Sequence, residues 1–193
     1  MPQHLLPEIL FHHQLETPIG TMLVITDQRE RMRALDWHEY EDRMHRLLWL
    51  HAKKEKREFE LQAASLPAAI HKALDAYFTG NFVPVNDIPV YTVGTVFQQA
   101  VWRALRTIPA GTTLSYSALA KKLGRPKAVR AVGAANGANP VGIVIPCHRV
   151  IGRDGSMTGY GGGLERKRWL LAHEVTGFRE KGTEAMPLSY INS

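Results

Sequence analysis

The sequence predicts a mixed α/β protein of the α+β type, in which a small α/β unit is followed by a mostly helical unit. Three observations lead to this fold class. Apolar residues near the start of the chain favour strands, helical spacing dominates from Phe97 onward, and a segment with two prolines and a glycine, residues 81–95, separates the two patterns. With 193 residues the chain can form one domain or two small ones. The predicted units are residues 1–90, residues 91–178 and a mobile tail, residues 179–193.

The composition favours an anionic partner. There are 24 Lys and Arg residues against 18 Asp and Glu, and the isoelectric point is near 9.6. One cysteine excludes an internal disulfide framework and any zinc site built on several cysteines. The start, MPQHLLPEILFHHQ, lacks a secretory pattern, and no apolar run reaches membrane-spanning length. We therefore expect a cytoplasmic protein in a reducing compartment that does not engage a membrane.

The first unit begins with strands and continues with helices. Two short antiparallel strands are predicted in residues 15–27 and 33–37, with turns at residues 18–20 and 27–31. Helical spacing then covers residues 40–57, whose cation-rich end, KKEKR, is interpreted as a solvated helix face without a nucleic-acid role. A second helix is predicted over residues 67–78, closed by Gly80. The histidines of this unit are scattered, so the sequence predicts no metal site.

The second unit opens with three helices in succession. The first starts at Phe97 and ends at the sequence PAG. Ser115 is the expected N-cap of the second, which stops at Gly124. The third is expected over about residues 127–136. At 100° per residue, one side of this third helix carries Val129, Val132, Gly133 and Asn136, and the other side carries Lys127, Arg130, Ala131 and Ala134.

A helix, a short turn and a second helix with a basic outer face form the pattern of a helix-turn-helix. Proteins that read DNA sequence present several long polar side chains to the base edges. This outer face offers one arginine, one lysine and otherwise methyl groups, so it predicts close approach to DNA without sequence reading. An exposed helix pair with no DNA role is the alternative that the pattern leaves open.

The stretch IPCHRVIG contains the only cysteine, Cys147, directly before His148. A thiol beside an imidazole is the minimum arrangement for a sulfur nucleophile, because the thiolate is the attacking species. The alternative is an inert, buried cysteine at the end of an apolar strand, residues 141–145. The neighbouring sequence has to decide between them.

A glycine-rich loop, RDGSMTGYGGG, and a helix over residues 164–174 follow this stretch. Glycines in such a loop serve either a flexible connection or the close approach of backbone to a flat ligand. Glu174 lies on the leucine side of the helix, where a carboxylate requires a partner, and a histidine is a natural one. A helix-end acid that extends into water is the competing interpretation.

The segments RAVGAANGANPVGIVIPCHRVIG and MTGYGGGLERKRWLLAHE together resemble the O6-alkylguanine-DNA alkyltransferase family, in particular its bacterial constitutive members. The resemblance is strong over residues 90–178 and weaker before them. It implies a ribonuclease-H-like N-terminal α/β domain and a helical C-terminal domain that holds the helix-turn-helix and the active-site cysteine. It favours Cys147 as a nucleophile.

The resemblance also implies a function. The family binds duplex DNA through the minor groove, flips the damaged base out of the stack, and transfers the alkyl group from guanine O6 or thymine O4 to the cysteine. The thioether product resists hydrolysis, so each molecule is expected to act once, without a cofactor. We expect the protein to be a monomer whose partner is double-stranded DNA with an alkylated base. The sequence leaves open whether several molecules bind DNA cooperatively.

Residue roles follow by position in the motifs. Cys147 is the implied acceptor, His148 the base that acts through a water, and Glu174 the carboxylate that orients the histidine. Asn139 is expected to hold the cysteine loop, and Tyr116 to donate to the base. Arg130 is expected to fill the gap in the stack. The other implied DNA contacts are Ala131, Lys127, Arg125, Ser117 and Arg153, and the implied lesion pocket consists of Val150, Tyr160, Gly161 and Gly162.

Two departures from the family pattern lead to further expectations. Gly161 and Gly142 stand where relatives carry larger residues, which predicts tolerance for larger alkyl groups. A zinc site found in some relatives is not expected, because a second cysteine is absent. Two other functions remain open at this point: a DNA-binding protein that does no chemistry, and a thiol hydrolase that uses Cys147 and His148.

Overall fold

The computed structural model describes residues 6–179, with side chains through residue 175. In this part of the chain the strands are β1 (Glu8–Thr17), β2 (Gly20–Asp27), β3 (Met32–Trp37), β4 (Phe59–Ala63), β5 (Leu114–Ser115) and β6 (Val150–Ile151). The helices are α1 (Glu41–Glu55), α2 (Ala68–Phe78), α3 (Val96–Leu105), α4 (Tyr116–Lys122), α5 (Val129–Gly137) and α6 (Leu164–Arg179). The predicted mixed α/β class is confirmed.

The first four strands form one sheet in the order β3-β2-β1-β4. β1 and β2 are antiparallel, as are β2 and β3, whereas β4 runs parallel to β1. The sequence prediction of two strands was incomplete. The turn at Pro18 and Ile19 divides the first predicted strand, β1 begins seven residues earlier than residue 15, and β4 was missed. The exposed and half-buried residues of β4, FELQA, offer little apolar pattern from which to predict an edge strand.

The two faces of this sheet pack against different parts of the molecule, because side chains alternate along a strand. Leu23 and Ile25 of β2 point to α1, where they pack with Met44 and Leu48. The opposite face, which includes Val24, contributes to a larger core that extends continuously through α2 and α3 to α6. The helical second half is therefore built directly onto the sheet.

Local capping explains where the helices of the second half begin. Thr95 and Gln98 form a reciprocal capping box at the start of α3. The predicted N-cap is confirmed, since the hydroxyl of Ser115 accepts from the backbone N–H of Ala118. Gly124 lies just after the end of α4 and has a φ of +69°, the left-handed conformation with which helices commonly terminate. The third predicted helix starts later than expected: Lys127 lies in the turn before α5, not on its outer face.

The apolar run before the cysteine is not the strand that was expected. Residues 141–145 form a buried turn with one bridge, between Val141 and Leu35 of β3. The N–H of Leu35 donates to the carbonyl of Pro140 at 2.9 Å, and the N–H of Gly142 donates to the carbonyl of Leu35 at 3.1 Å. This contact attaches the segment that carries Cys147 to the outer edge of the N-terminal sheet.

The last helix is longer than predicted and continues beyond Glu174 to Arg179. It starts after Gly163, whose φ is +88°. The predicted mobile tail lies outside the described residues except for Arg179. No helix in the described part of the chain is long and apolar enough to cross a membrane.

Candidate active site and DNA-facing helices

Cys147 lies in a short 3-10 turn, Cys147–Arg149, between the buried turn and β6. Its side chain is 7% exposed, and His148 beside it is fully buried. Burial raises the pKa of the Cys147 thiol, because a charged sulfur is poorly solvated there. The cysteine is therefore a protonated thiol at rest and requires a base to become a nucleophile.

The predicted partner of Glu174 is confirmed. His148 Nε2 lies 2.8 Å from Glu174 Oε1, and both side chains are fully buried. The carboxylate accepts, so Nε2 carries the proton and Nδ1 is left as the basic nitrogen. None of the described protein groups is hydrogen-bonded to Nδ1, although it is buried. The imidazole thus presents an unengaged acceptor within the site.

A second cation holds the same carboxylate. Arg149 donates to both oxygens of Glu174, through Nε at 3.0 Å to Oε2 and through Nη2 at 2.7 Å to Oε1. Its Nη1 also donates to the carbonyl of Ile108 at 2.6 Å. Such a bidentate pair fixes a carboxylate more rigidly than a single contact does. The charges of Arg149 and Glu174 balance, so the buried group is electrically neutral when His148 is neutral, and the pair of His148 and Glu174 is called the relay below.

The electrostatics of the relay follow from burial and pairing. Burial lowers the pKa of His148, and the Glu174 carboxylate opposes this effect. Burial also favours the neutral form of Glu174, yet His148 and Arg149 prevail and hold the pKa of Glu174 well below its ordinary range. Glu174 is therefore ionised, and His148 is a neutral base at physiological pH.

Two asparagines fix the turn that carries the cysteine. Asn139 Nδ2 donates to the carbonyl of Ile145 at 2.7 Å, and its Oδ1 accepts from the N–H of Val141 at 3.0 Å. Asn136 Nδ2 donates to the carbonyl of Cys147 at 3.4 Å. Between them Ile143 has a φ of +63°, a costly conformation for a β-branched residue, at about 1–3 kcal/mol. The surrounding hydrogen bonds hold this strained turn in place.

The hydroxyl of Tyr116 connects α4 to the glycine-rich loop, since it lies 3.5 Å from the carbonyl of Thr158. Its half-buried ring packs on the main core, so core packing contributes to its position. Lys167 Nζ donates to the same carbonyl at 2.9 Å and to the carbonyl of Val150 at 2.7 Å. Burial lowers the pKa of Lys167 to about 8. The ammonium ties the loop to β6 next to the cysteine.

The expected lesion pocket borders the N-terminal half of the molecule. The ring of Tyr160 stands edge-on to His148 at 6.4 Å between centroids. A Cβ at Gly161 would lie 2.5 Å from the guanidinium carbon of Arg43, and one at Gly162 would lie 2.4 Å from Trp37 Nε1. The space beside these glycines is thus occupied by side chains of the first half. Glycine at positions 161 and 162 therefore leaves room for Arg43 and Trp37 and does not enlarge the pocket on the side of the first half.

The expected DNA contacts are exposed or half-buried, whereas His148 and Glu174 are fully buried. Arg130 and Ala131 are exposed on α5, and Arg125 and Lys127 are exposed in the turn between α4 and α5. Ser117 is half-buried in α4, 3.0 Å from the hydroxyl of Ser115. The remaining expected contact, Arg153, is exposed in the loop after β6.

Sequence reasoning missed several residues that complete this arrangement. Arg149 follows His148 directly. A buried carboxylate needs a cationic partner, and this need could have indicated Arg149 as a partner of Glu174. Lys167 shares the apolar face of α6, which is itself unusual for a lysine. Arg43 and Tyr77 lie in the other half of the chain, and no sequence pattern indicates that they reach the site.

Arg43 joins the two halves at the cysteine turn. It pairs with the carboxylate of Asp36 and donates to the carbonyl of Gly137 at 2.8 Å and to that of Asn139 at 3.3 Å. Burial raises the pKa of Asp36, and Arg43 opposes that shift. The N-terminal half therefore supports the end of α5 and the start of the turn directly.

The described residues contain no group of three or more His, Cys, Asp or Glu side chains arranged to hold a metal ion. The expected absence of zinc in the whole chain stays a prediction.

Comparison with known proteins gives consistent matches across the chain. A family model described as "6-O-methylguanine DNA methyltransferase, ribonuclease-like domain" matches residues 10–92, and one described as "6-O-methylguanine DNA methyltransferase, DNA binding domain" matches residues 96–176. A methylated-DNA–protein-cysteine methyltransferase of Shigella flexneri is 51% identical over 165 residues, which are 86% of this chain and 95% of that protein. A Haemophilus influenzae protein of the same name is 40% identical, over 91% of this chain and 92% of its own length.

A solved structure is also similar. The crystal structure of Mycobacterium tuberculosis OGT in complex with DNA superposes with a TM-score of 0.70 at 36% identity, over 86% of this chain and 94% of that chain. The two family models together span most of the sequence, and the identity to the relatives extends over nearly their whole length. The chain therefore belongs to the 6-O-methylguanine DNA methyltransferase family.

Proposed function

We propose that this protein repairs DNA directly, by transferring an alkyl group from guanine O6 in duplex DNA to Sγ of Cys147. The observation that carries the proposal is the buried hydrogen-bonded pair of His148 and Glu174, in which His148 directly follows Cys147 in the chain. Family membership supports the reaction type, and a DNA complex of a relative supports DNA as the partner. Alkyl transfer from thymine O4 is proposed as a second reaction of the same site.

The proton of the thiol passes through a bridging water to Nδ1 of His148, which becomes an imidazolium beside Glu174. The thiolate then attacks the alkyl carbon, so that an S–C bond forms while the C–O6 bond breaks. The bonding electron pair goes to the guanine, where the hydroxyl of Tyr116 donates to the developing negative charge. Proton uptake restores guanine, and an alkylated Cys147 remains.

Arg149 gives this proton transfer a balanced electrostatic setting. Its guanidinium neutralises Glu174 before the reaction, so the thiolate and imidazolium are created as a new pair of opposite charges in a buried site. Forming two adjacent charges of opposite sign costs less than forming one buried charge. Asn139 is proposed to hold the turn so that the sulfur stays close to its base.

Access to a base inside duplex DNA requires the base to leave the stack. We propose that the exposed face of α5 and the preceding turn lie against the DNA backbone, with Arg130 in the gap left by the flipped base. Arg125, Lys127, Ser117 and Arg153 are proposed backbone contacts, and Ala131 permits close approach. The flipped base would lie between Val150, Tyr160 and the glycines at positions 161 and 162.

We further propose a cytoplasmic monomer. The substrate is chromosomal DNA, and the lone acceptor cysteine has to remain reduced to react. The proposed relay and the proposed DNA-facing surface both come from one chain, so the proposed reaction needs no second copy. Two structural units, residues 1–90 and 91–178, are proposed as support and reaction domains.

The test is mass spectrometry of the protein after incubation with a duplex that contains one O6-methylguanine. The proposal predicts the mass gain of one methyl group, mapped to the peptide with Cys147, and none in Cys147→Ser. The Ser variant should retain most of its affinity for the duplex, because Cys147 is buried.

The other outcomes identify the competing functions. Binding without a mass gain would indicate a damage-recognition protein that does no chemistry. Repeated turnover with an unmodified Cys147 would indicate a hydrolase. Methyl removal by Cys147→Ser would contradict the assignment of the acceptor.

A further inference from the structure

A phenol from the first half of the molecule contacts the carboxylate of the relay. Tyr77, in α2, donates its hydroxyl hydrogen to Glu174 Oε1 at 2.8 Å. The side chain is fully buried, and 97 residues separate it from its acceptor in the sequence. The same oxygen also accepts from His148, so the phenol and the imidazole share one acceptor.

The surroundings of Tyr77 fix its ring independently of this hydrogen bond. Phe78 and Phe82 meet the ring edge-on, at 5.4 and 5.3 Å between centroids, and His173 does so at 5.7 Å. Burial raises the pKa of Tyr77 well above its ordinary value, and the charge of Glu174 adds to that effect. The phenol therefore stays protonated and remains a donor throughout the working pH range.

We propose that Tyr77 is a positioning residue of the relay, whose hydroxyl orients Glu174 Oε1 and disperses its charge, and so sets the pH at which His148 accepts a proton. The inference rests on the proposed function for the role of His148. It assigns to the N-terminal half a direct part in the reaction, beyond support of the fold.

The direction of the effect follows from the shared oxygen. A hydrogen bond from the phenol stabilises the negative charge on Glu174, so less of that charge is available to stabilise an imidazolium at His148. Without this donor the imidazolium is favoured. His148 then becomes protonated, and thus useless as a base, at a higher pH than in the native protein.

Several other charged or titratable groups face this cluster and have to stay constant. Arg149 bonds both oxygens of Glu174 and would keep the carboxylate in place after the phenol is removed. Lys167 acts on His148 from α6, Tyr160 meets its imidazole edge-on, and Cys147 precedes it in the chain. His173 packs on Tyr77 and is 2.7 Å from its carbonyl through Nε2. A test should therefore alter the hydroxyl alone.

The variant is Tyr77→Phe, which keeps the ring. The rate of Cys147 modification would be measured from acidic to neutral pH with two reagents, an O6-methylguanine duplex and iodoacetamide. We expect the midpoint of the acidic limb to move upward by about 0.5 to 1 pH unit with both. Tyr91→Phe is the matched control, because it removes a phenol-to-carboxylate bond to Glu55 outside the site, and its midpoint should not change.

Replacement of Tyr77 by 3-fluorotyrosine at that position alone provides a second variant. Its more acidic phenol is a stronger donor, so the midpoint should move downward instead. This variant keeps the hydrogen bond and the packing, and it tests the proposal even where Tyr77→Phe fails to fold. Thermal unfolding of each variant establishes that the folded protein is being compared.

An unchanged midpoint in either folded variant would overturn the proposal, as would a uniform loss of rate at every pH, which is the sign of a purely structural role. The two reagents separate this outcome from failure of the proposed function. If the iodoacetamide midpoint shifts but the duplex transfers no methyl group, the repair function fails and the role of Tyr77 stands. If the methyl group is transferred but the midpoint does not shift, the repair function stands and the role of Tyr77 fails.

Discussion

At the scale of single residues, the site combines a buried thiol whose pKa is raised by burial with a buried imidazole, His148, whose Nδ1 has no hydrogen-bond partner among the described protein groups. Cys147 and His148 are adjacent in sequence, and this adjacency together with the family resemblance led to the prediction of a nucleophile and its base, which stays a prediction. The phase of Glu174 on its helix predicted the third member. Arg149 was not predicted, although the expected burial of Glu174 called for a partner, and Tyr77 was not predicted because it lies 97 residues from Glu174 in the sequence.

Arg130 allows a residue-scale prediction that separates DNA handling from thiol chemistry. Arg130→Ala removes an exposed side chain of α5 that does not contact the relay. We expect transfer from an O6-methylguanine duplex to slow by about tenfold or more, while the rate with iodoacetamide stays within about twofold. Rapid-quench kinetics with both reagents provide the measurement.

Arg29→Ala is the matched control for this substitution, since it removes an exposed arginine in the turn between β2 and β3. It should leave both rates unchanged. An equal loss of both rates in Arg130→Ala would contradict a role confined to DNA.

Gly161 bears on the size of the alkyl group that the proposed lesion pocket accepts. The sequence predicted tolerance for larger alkyl groups, and the structure adds that Arg43 occupies the space next to this glycine. We keep the prediction that O6-benzylguanine reacts with Cys147, and we expect Arg43→Ala to increase that rate relative to the methyl substrate. Competition between the two substrates, followed by mass spectrometry, measures the ratio, and strong exclusion of the benzyl group would contradict the prediction.

At the scale of elements, the cysteine turn depends on the N-terminal sheet and on α1. Helix positions in the second half were predicted closely, because caps and apolar spacing are local signals, as at Ser115. The strand expected over residues 141–145 was wrong, since an apolar run fits a buried turn equally well. The buried turn is favoured over a strand by the contact with β3 and by the hydrogen bond to Asn139. β3 is distant in the sequence, and hydrophobic periodicity does not report a hydrogen bond from an asparagine side chain.

Arg43 is the element-scale test of that dependence. Arg43→Met leaves the buried carboxylate of Asp36 without its guanidinium, which is expected to lower the free energy of unfolding by about 3 kcal/mol. The carbonyl groups at the end of α5 also lose a donor, so methyl transfer should slow. Urea denaturation and single-turnover kinetics measure the two effects.

Adding Asp36→Asn to Arg43→Met should recover part of the stability, because it removes the unpaired charge. Arg46→Met, an exposed substitution on the same helix, is the control and should have little effect on either measurement. Full stability and full activity in Arg43→Met would show that the two halves do not cooperate through this contact.

At the scale of the whole molecule, a single large core joins the sheet to the reaction helices. The sequence predicted a boundary near residue 90 from a change of pattern, and such a change cannot reveal how two units pack. Long-range contacts, such as that between Leu35 and Val141, determine the packing. They also bring Arg43 and Tyr77 of the first half into contact with the cysteine turn and with Glu174.

Buried histidines make the stability of the whole protein sensitive to acid. Burial lowers the pKa of His51 to about 4, and burial also lowers the pKa values of His13 and His148. Between about pH 4 and 6.5 the unfolded chain binds a proton at residue 51 that the folded protein does not, so stability rises with pH in this window. Acidification should therefore reduce the free energy of unfolding by up to about 1.4 kcal/mol per pH unit for this group.

Urea denaturation at a series of pH values tests this prediction. His51→Leu should reduce the slope of stability against pH in that window, whereas His38→Leu, at an exposed position, should not. An unaltered slope in His51→Leu would show that this histidine does not contribute to acid sensitivity.

The central claim is that Cys147 is an acceptor which the reaction consumes. It is tested most directly by a titration in which labelled O6-methylguanine duplex is present in large excess over the protein. We predict that transfer stops at one methyl group per protein molecule and that the label stays on Cys147 through denaturation and washing. Continued transfer beyond one equivalent, or label released into solution, would contradict the account.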